Sequence, residues 1–249
     1  MSLTAQNPPA PTPESRAADY FAQLHSQCEQ VSKLSLANNN LVLIAGSHQF
    51  ATELAAWCEV TDIRNEVELL RSAALEYDFG HLALIQGHYR HAFKSLRLVL
   101  ELILQAVYLS ANELQLREWL DNRLDTYWKD IVDKQDGVFS PRFAKGFFHA
   151  LEPHTQHYGS MAVSLYRECS ESVHGNTPKH IPLPSTLAFD QNAFDLWHTK
   201  ANTLRLIAHF ALTLRYFGDL TDASKAKLSP YLAQQFAGKP EIKAALNIP

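Results

Sequence analysis

Tyr89-Arg90-His91-Ala92-Phe93-Lys94-Ser95-Leu96-Arg97-Leu98-Val99-Leu100-Glu101-Leu102-Ile103-Leu104-Gln105-Ala106-Val107-Tyr108-Leu109 is the stretch that decides the fold. Its first half is polar. After Leu98 it is apolar almost all round, which predicts a helix at the centre of a bundle rather than one lying on its surface. The most apolar run, Leu98 to Ala111, carries Glu101 and is shorter than the roughly 18 residues that a membrane span needs, so no membrane association is expected.

The segments on either side read as helices too. Ala18, Phe21, Leu24, Cys28, Val31 and Leu34 recur at intervals of three and four, giving an amphipathic helix from Glu14 to about Leu36. Leu41 to Ala45 is ambiguous between a strand and a helix start, while Phe50 to Cys58 is helical. Thr61 or Asp62 caps a helix to about Tyr77, with Gly80 and Gly87 as expected breaks. Asn112 to Leu124 and Tyr127 to Val132 are shorter helices, and the turn Lys134-Gln135-Asp136-Gly137 leads to Ser140-Pro141, a cap and first helical residue for a helix through Leu151. Helix formation resumes from Thr155 to Val173 and stops at Gly175-Asn176-Thr177-Pro178. Ser185 to Asp190 reads as extended or a short strand. Asp190 or Asn192 caps a long helix to about Phe217, and Pro230 to Ala237 and Glu241 to Leu246 complete an all-α bundle with a central long buried helix and extra peripheral helices.

The chain has 249 residues, 46% hydrophobic and 19% charged, with only 9 Gly, which fits one compact helical domain over 14–249 and excludes global disorder. Residues 1–13 are polar and Pro-rich and are expected to be disordered, without the pattern of a signal peptide. The part before about residue 60 is a candidate N-terminal subdomain. Cys28, Cys58 and Cys169 are odd in number and widely spaced, so they are expected to be reduced thiols in a cytoplasmic protein. A net charge of -4 argues against broad, non-specific coating of nucleic acid but leaves room for a local basic pocket.

Arg167-Glu168-Cys169-Ser170-Glu171-Ser172-Val173-His174 is where chemistry is most concentrated. At about 100° per residue, Arg167, Ser170, Glu171 and His174 share one helical face. An arginine fork suits phosphate oxygens and a histidine titrates near neutral pH, so the pair supplies charge stabilisation and proton transfer. Cys169 and Val173 form an opposite apolar face for docking on the core. The following Asn176 lies in a turn where it can donate to a phosphate, and Tyr166 offers a stacking surface.

The pattern resembles the HEPN superfamily, the higher-eukaryote and prokaryote nucleotide-binding helical domains, whose signature is an arginine followed after four to six residues by a histidine. Arg167 and His174 match its widest spacing, over a HEPN-like core of about 60–217. The resemblance implies a metal-independent endoribonuclease of a bacterial toxin or antiviral defence system, needing no cofactor. RNA would be the substrate, and a homodimer would form a composite Arg/His site, with an antitoxin or defence-complex protein as partner. His174 would move the proton, Arg167 would stabilise charge on phosphorus, and Ser170, Glu171 and Asn176 would orient the histidine or hold substrate. Glu168 departs from the family, which often places Asn, Asp or His directly after the arginine; an acid there works against phosphate. The superfamily also includes inactive members, so a non-enzymatic helical interaction or assembly module is the alternative.

Glu101 is the one charge between Leu98 and Ala111 and must find a donor, since an unpaired buried carboxylate costs several kcal/mol. Arg97, one turn away, and Arg167, on the motif helix, are the two candidates. Among the 12 His, His88/His91 and His154/His157 are spaced by three, but no second Glu-x-x-His matches Glu171-Ser172-Val173-His174, so no metal is expected. Trp57, Trp119, Trp128 and Trp197 read as core and interface residues. No G-x-S-x-G, G-x-G-x-x-G or G-x-x-x-x-G-K-[ST] motif occurs, which leaves esterase, dinucleotide and P-loop readings without support.

Overall fold

The computed structural model describes residues 12–37, 39–174 and 183–248, and of residues 172–174 only the backbone. Among these every regular element is helical. Helix α1 (Pro13–Ser35) starts inside the tail expected over 1–13, because Thr12 caps it by accepting the Ser15 N–H and Pro13 sits at the first helical position. The ambiguous Leu41–Ala45 stretch proves to be the first turns of α2 (Leu41–Val60), whose Ser47, Phe50, Leu54 and Trp57 face inward at helical spacing.

Helix α3 (Val67–Ile85) runs straight through Gly80, where a break was expected. The glycine serves packing instead: a Cβ there would stand 2.6 Å from Ser95 Cβ, so its absence lets α3 lie close on α4 (Tyr89–Leu109). Gly87 is a true break, with φ at +82°, a conformation that side chains with a Cβ seldom adopt. Helix α4 buries Phe93, Leu96, Val99, Leu100, Ile103, Leu104 and Val107 and packs against α3, α8 (Thr155–His174) and α9 (Gln191–Tyr216), so the stretch that reads as the bundle's centre is at its centre.

Helices α5 (Glu113–Leu120), α6 (Trp128–Ile131) and α7 (Pro141–Phe147) are short and peripheral, capped by Asn112 and Ser140 at the first and third. The helix expected to reach Leu151 ends at Phe147, and a 3-10 segment, His149–His154, carries Pro153 into α8. Ser185–Asp190 is bends and irregular chain rather than a strand. Asp190 caps α9 by accepting the Ala193 N–H at 2.8 Å. Helix α10 (Asp222–Gln235) is longer than expected and contains Pro230, and α11 (Pro240–Leu246) follows. Helix α2 shares the core with α3 and α9, whereas α1 buries only Val31 and Ser35 and stands largely outside it. No described helix is long and apolar enough to cross a membrane.

Two buried polar networks stitch α9 to its neighbours. Glu53 of α2 has no exposed surface; Arg205 donates to its carboxylate through Nε at 2.6 Å and through a second guanidinium nitrogen, and His209 Nε2 lies 2.8 Å away. Trp57 Nε1 donates to His209 Nδ1 at 3.2 Å, which assigns the imidazole proton to Nε2 and aims it at Glu53. These donors outweigh the burial that would otherwise raise the carboxyl, and hold its pKa below the ordinary value. In the second network His198 Nδ1 meets Ser47 Oγ at 2.6 Å and His81 stacks on Trp197, while the Nε2 atoms of both histidines are buried without a partner.

Two consequences are measurable. Arg205→Leu leaves Glu53 with too few donors and lowers unfolding stability by about 3–5 kcal/mol in urea titration; a loss under 1 kcal/mol would show the pair to be dispensable. Burial, and then the neighbouring His48, depresses His81 to about 4, and burial, then His81, depresses His198 to about 3. The unfolded chain therefore binds protons first as pH falls. Stability is complete well above pH 6.5 and is lost progressively as pH falls toward 4 for His81 and toward 3 for His198, with His81 alone costing about 2 kcal/mol by pH 5. His81→Leu should remove roughly half of that acid limb in pH-dependent denaturation.

Candidate functional site

Helix α8 divides cleanly by face. Thr155, Tyr158, Ala162, Leu165 and Cys169, spaced by three and four, are buried, and burial pushes the Cys169 thiol up to about 12. The opposite stripe, Gln156, Ser160, Val163 and Arg167, is exposed. It forms one wall of a cleft of about 590 Å3. The facing wall is the chain between α6 and α7, with Lys134 and Pro141 at its rim and Phe139 at its floor.

That second wall is built rigidly. The Asp133 carboxylate accepts the backbone N–H groups of Gln135 at 2.8 Å and Asp136 at 2.9 Å, and these bonds lower its pKa. Gly137 then packs so closely that a Cβ would lie 2.5 Å from the Asp133 nitrogen and 2.6 Å from the Ile131 oxygen. Val138 and Phe139 anchor the far end in the core. Phe139 also lies against Gly159, where a Cβ would come within 3.0 Å of its own Cβ.

The expected site residues are placed as follows. Arg167 is exposed at the cleft and makes no ion pair among the described residues. Glu168, its acidic neighbour in sequence, points elsewhere: it pairs with Lys200 of α9 and accepts the Ser164 hydroxyl at 3.2 Å. Its charge is thereby spent away from Arg167. Ser170 donates its hydroxyl to the Tyr166 carbonyl one turn back at 2.6 Å, which commits that proton to the helix. Glu171 is half-buried on the continuation of the cleft stripe. The backbone of α8 extends to His174, seven residues and two turns beyond Arg167 and in register with it, whereas the His174 side chain and Asn176 lie outside the described residues.

Of the two candidate donors for Glu101 the structure selects Arg97: the pair forms on one helix at 3.2 Å, and Glu101 is half-buried rather than enclosed, so it does not brace Arg167. One expectation is corrected. Tyr166 is not an open stacking surface. Trp128 stacks on its ring at 4.0 Å, and the Arg97 guanidinium sits 4.5 Å from the ring centroid while donating to its hydroxyl at 2.7 Å.

Sequence reasoning missed Lys134. Its segment reads as a turn, and only the fold brings that turn opposite α8. Like Arg167, Lys134 is exposed and makes no ion pair among the described residues. A second cleft of about 420 Å3 contains Arg142, but that guanidinium is already paired with Asp136. The first cleft thus holds two uncommitted cations beside the hydroxyl of Ser160 and the amide of Gln156, a set suited to phosphate oxygens, together with the Asp133 carboxylate, which is engaged by the Gln135 and Asp136 N–H groups. No three metal-ligating side chains converge among the described residues.

No protein-family model, curated protein or solved structure matches the chain.

Gly137→Ala tests whether the cleft wall is as rigid as its packing indicates. Contact at 2.5 Å with backbone cannot relax by a side-chain turn, so we expect a loss of about 2 kcal/mol or more in thermal or urea unfolding. A neutral substitution would mean that the segment yields.

Proposed function

We propose that the chain is a HEPN-like, metal-independent endoribonuclease that works from the Arg167 cleft. The observation that carries this reading is the uncommitted guanidinium of Arg167 lining a cleft with a second uncommitted cation, Lys134, while Glu168 is neutralised by Lys200. Arg167 grips the phosphate and offsets charge that grows on its oxygens as the adjacent ribose 2′-hydroxyl attacks phosphorus. His174 takes the hydroxyl proton and returns one to the departing 5′-oxygen. Lys134 holds a neighbouring phosphate from the facing wall. A homodimer, and a toxin or defence setting with a protein partner, belong to this reading through the family resemblance.

A second reading, a non-enzymatic helical interaction module, is favoured by the exposed apolar residues Tyr20 and Phe21 on α1 and Leu75, Phe79 and Leu82 on α3. A wild-type protein that cleaves no RNA selects this second reading. The nuclease reading expects cleavage of a mixed RNA pool in the presence of a chelator, with His174→Ala and Arg167→Ala each reducing it by about 100-fold or more. Lys134→Ala should chiefly raise KM. Cleavage that survives His174→Ala in a folded protein would overturn the assignment.

A further inference from the structure

Between α1 and the turn that joins α3 to α4, a thiol and an imidazole meet. Cys28 Sγ of α1 lies 3.4 Å from Nε2 of His88, within hydrogen-bonding reach for sulfur, although sixty residues separate them. The pairing is made by the turn between α3 and α4. His88 caps α4, its backbone N–H donates to the Ala83 carbonyl at 2.8 Å, and Gly87 before it takes a positive φ. Val31 of α1 presses on that glycine, where a Cβ would stand 2.9 Å from Val31 Cγ1. The turn therefore holds the imidazole against α1 one helical turn before Val31.

Of the three cysteines, Cys28 alone is partly exposed; Cys58 and Cys169 are buried. Burial also pushes the Cys58 thiol up to about 11, so neither buried cysteine forms thiolate readily. Burial, and then the neighbouring His91, lower the pKa of His88, so at neutral pH its ring is uncharged and serves as a transient acceptor of the thiol's proton rather than as the standing cation of a thiolate–imidazolium pair. A nucleophile with a neutral base at this distance has the arrangement of an activated thiol.

We propose that Cys28 is a site of reversible covalent modification by thiol–disulfide exchange, with His88 as its base. The Cys28 thiol gives its proton to His88 Nε2. Its sulfur attacks one sulfur of a low-molecular-weight disulfide, forming a mixed disulfide as the reagent's S–S bond breaks. The departing thiolate takes the proton from His88. Cys28 is oxidised and the released thiol reduced, with no further oxidant. The inference does not rest on the nuclease reading.

The full-length native protein is incubated with oxidised glutathione and followed by intact mass and peptide mapping, and its rate with iodoacetamide is measured in parallel. One adduct, on Cys28, is expected, absent from Cys28→Ser. The rate should fall about tenfold in His88→Gln, which keeps a hydrogen-bonding group but cannot act as a base. Should that variant unfold, Cys58 and Cys169 will also react; the comparison is then native wild type against wild type in urea at the same pH, where native Cys28 should react faster despite its partial burial. Adducts on Cys58 or Cys169 in native protein, or a Cys28 that reacts no faster than in urea or in folded His88→Gln, would overturn the proposal.

Discussion

A carboxylate without solvent is the demand around which the bundle is arranged. Glu53 sits on α2 with no exposed surface, and an isolated buried charge there would be prohibitive. Its donors, Arg205 and His209, are one turn apart on α9, and Trp57, one turn along α2, fixes the histidine's tautomer. Four side chains thus set how far α2 is rotated and slid relative to α9. An apolar interface tolerates many registers; this one is satisfied in a single arrangement. With α2 and α9 fixed, α3 and α4 fill the remaining space, and Trp197 Nε1 ties α9 to the Ala92 carbonyl of α4 at 3.0 Å.

The candidate site inherits its geometry from that scaffold. Helix α8 buries Tyr158, Ala162, Leu165 and Cys169, and the Glu168–Lys200 pair fixes its rotation against α9. Arg167 and the stripe before it are turned outward as a result. The residue that weighs against phosphate binding on sequence grounds, Glu168, is the one whose ion pair aims Arg167 away from the core. Local sequence and tertiary structure give the same acid opposite meanings.

What could be read from the residues was what periodicity carries. The limits of α4, Gly87 as a break, and the caps at Asn112 and Ser140 follow from local spacing and local hydrogen bonding, and at α9 the structure chooses Asp190 over the equally placed Asn192. Gly80 was legible only as a breaker, because its role depends on Ser95 of another helix. Ser185–Asp190 reads as extended or a short strand but has no partner strand among the described residues, and an extended segment alone does not make a sheet. Arg167 could be singled out from composition and spacing, whereas Lys134 could not: thirty-three residues apart, the two meet through the rigid turn at Gly137. The Glu53 network was invisible for the same reason, since Glu53 and Arg205 lie 152 positions apart.

Phe139 ends the cleft and begins the core. Its ring stacks on Phe210 at 6.3 Å, and Phe210 on Tyr158 at 3.8 Å, so the floor on which a ligand would rest is the outermost of three layered rings reaching inward between α8 and α9. The shape of the cleft and the stability of the core consequently draw on the same atoms. A substitution that repacks Phe210 would reshape the cleft from below, and any ligand that bound on Phe139 only in the native state would stabilise the fold by mass action. Selection acting on either property would constrain the other, and divergence at these three aromatics should be slower than their distance from any reacting group suggests.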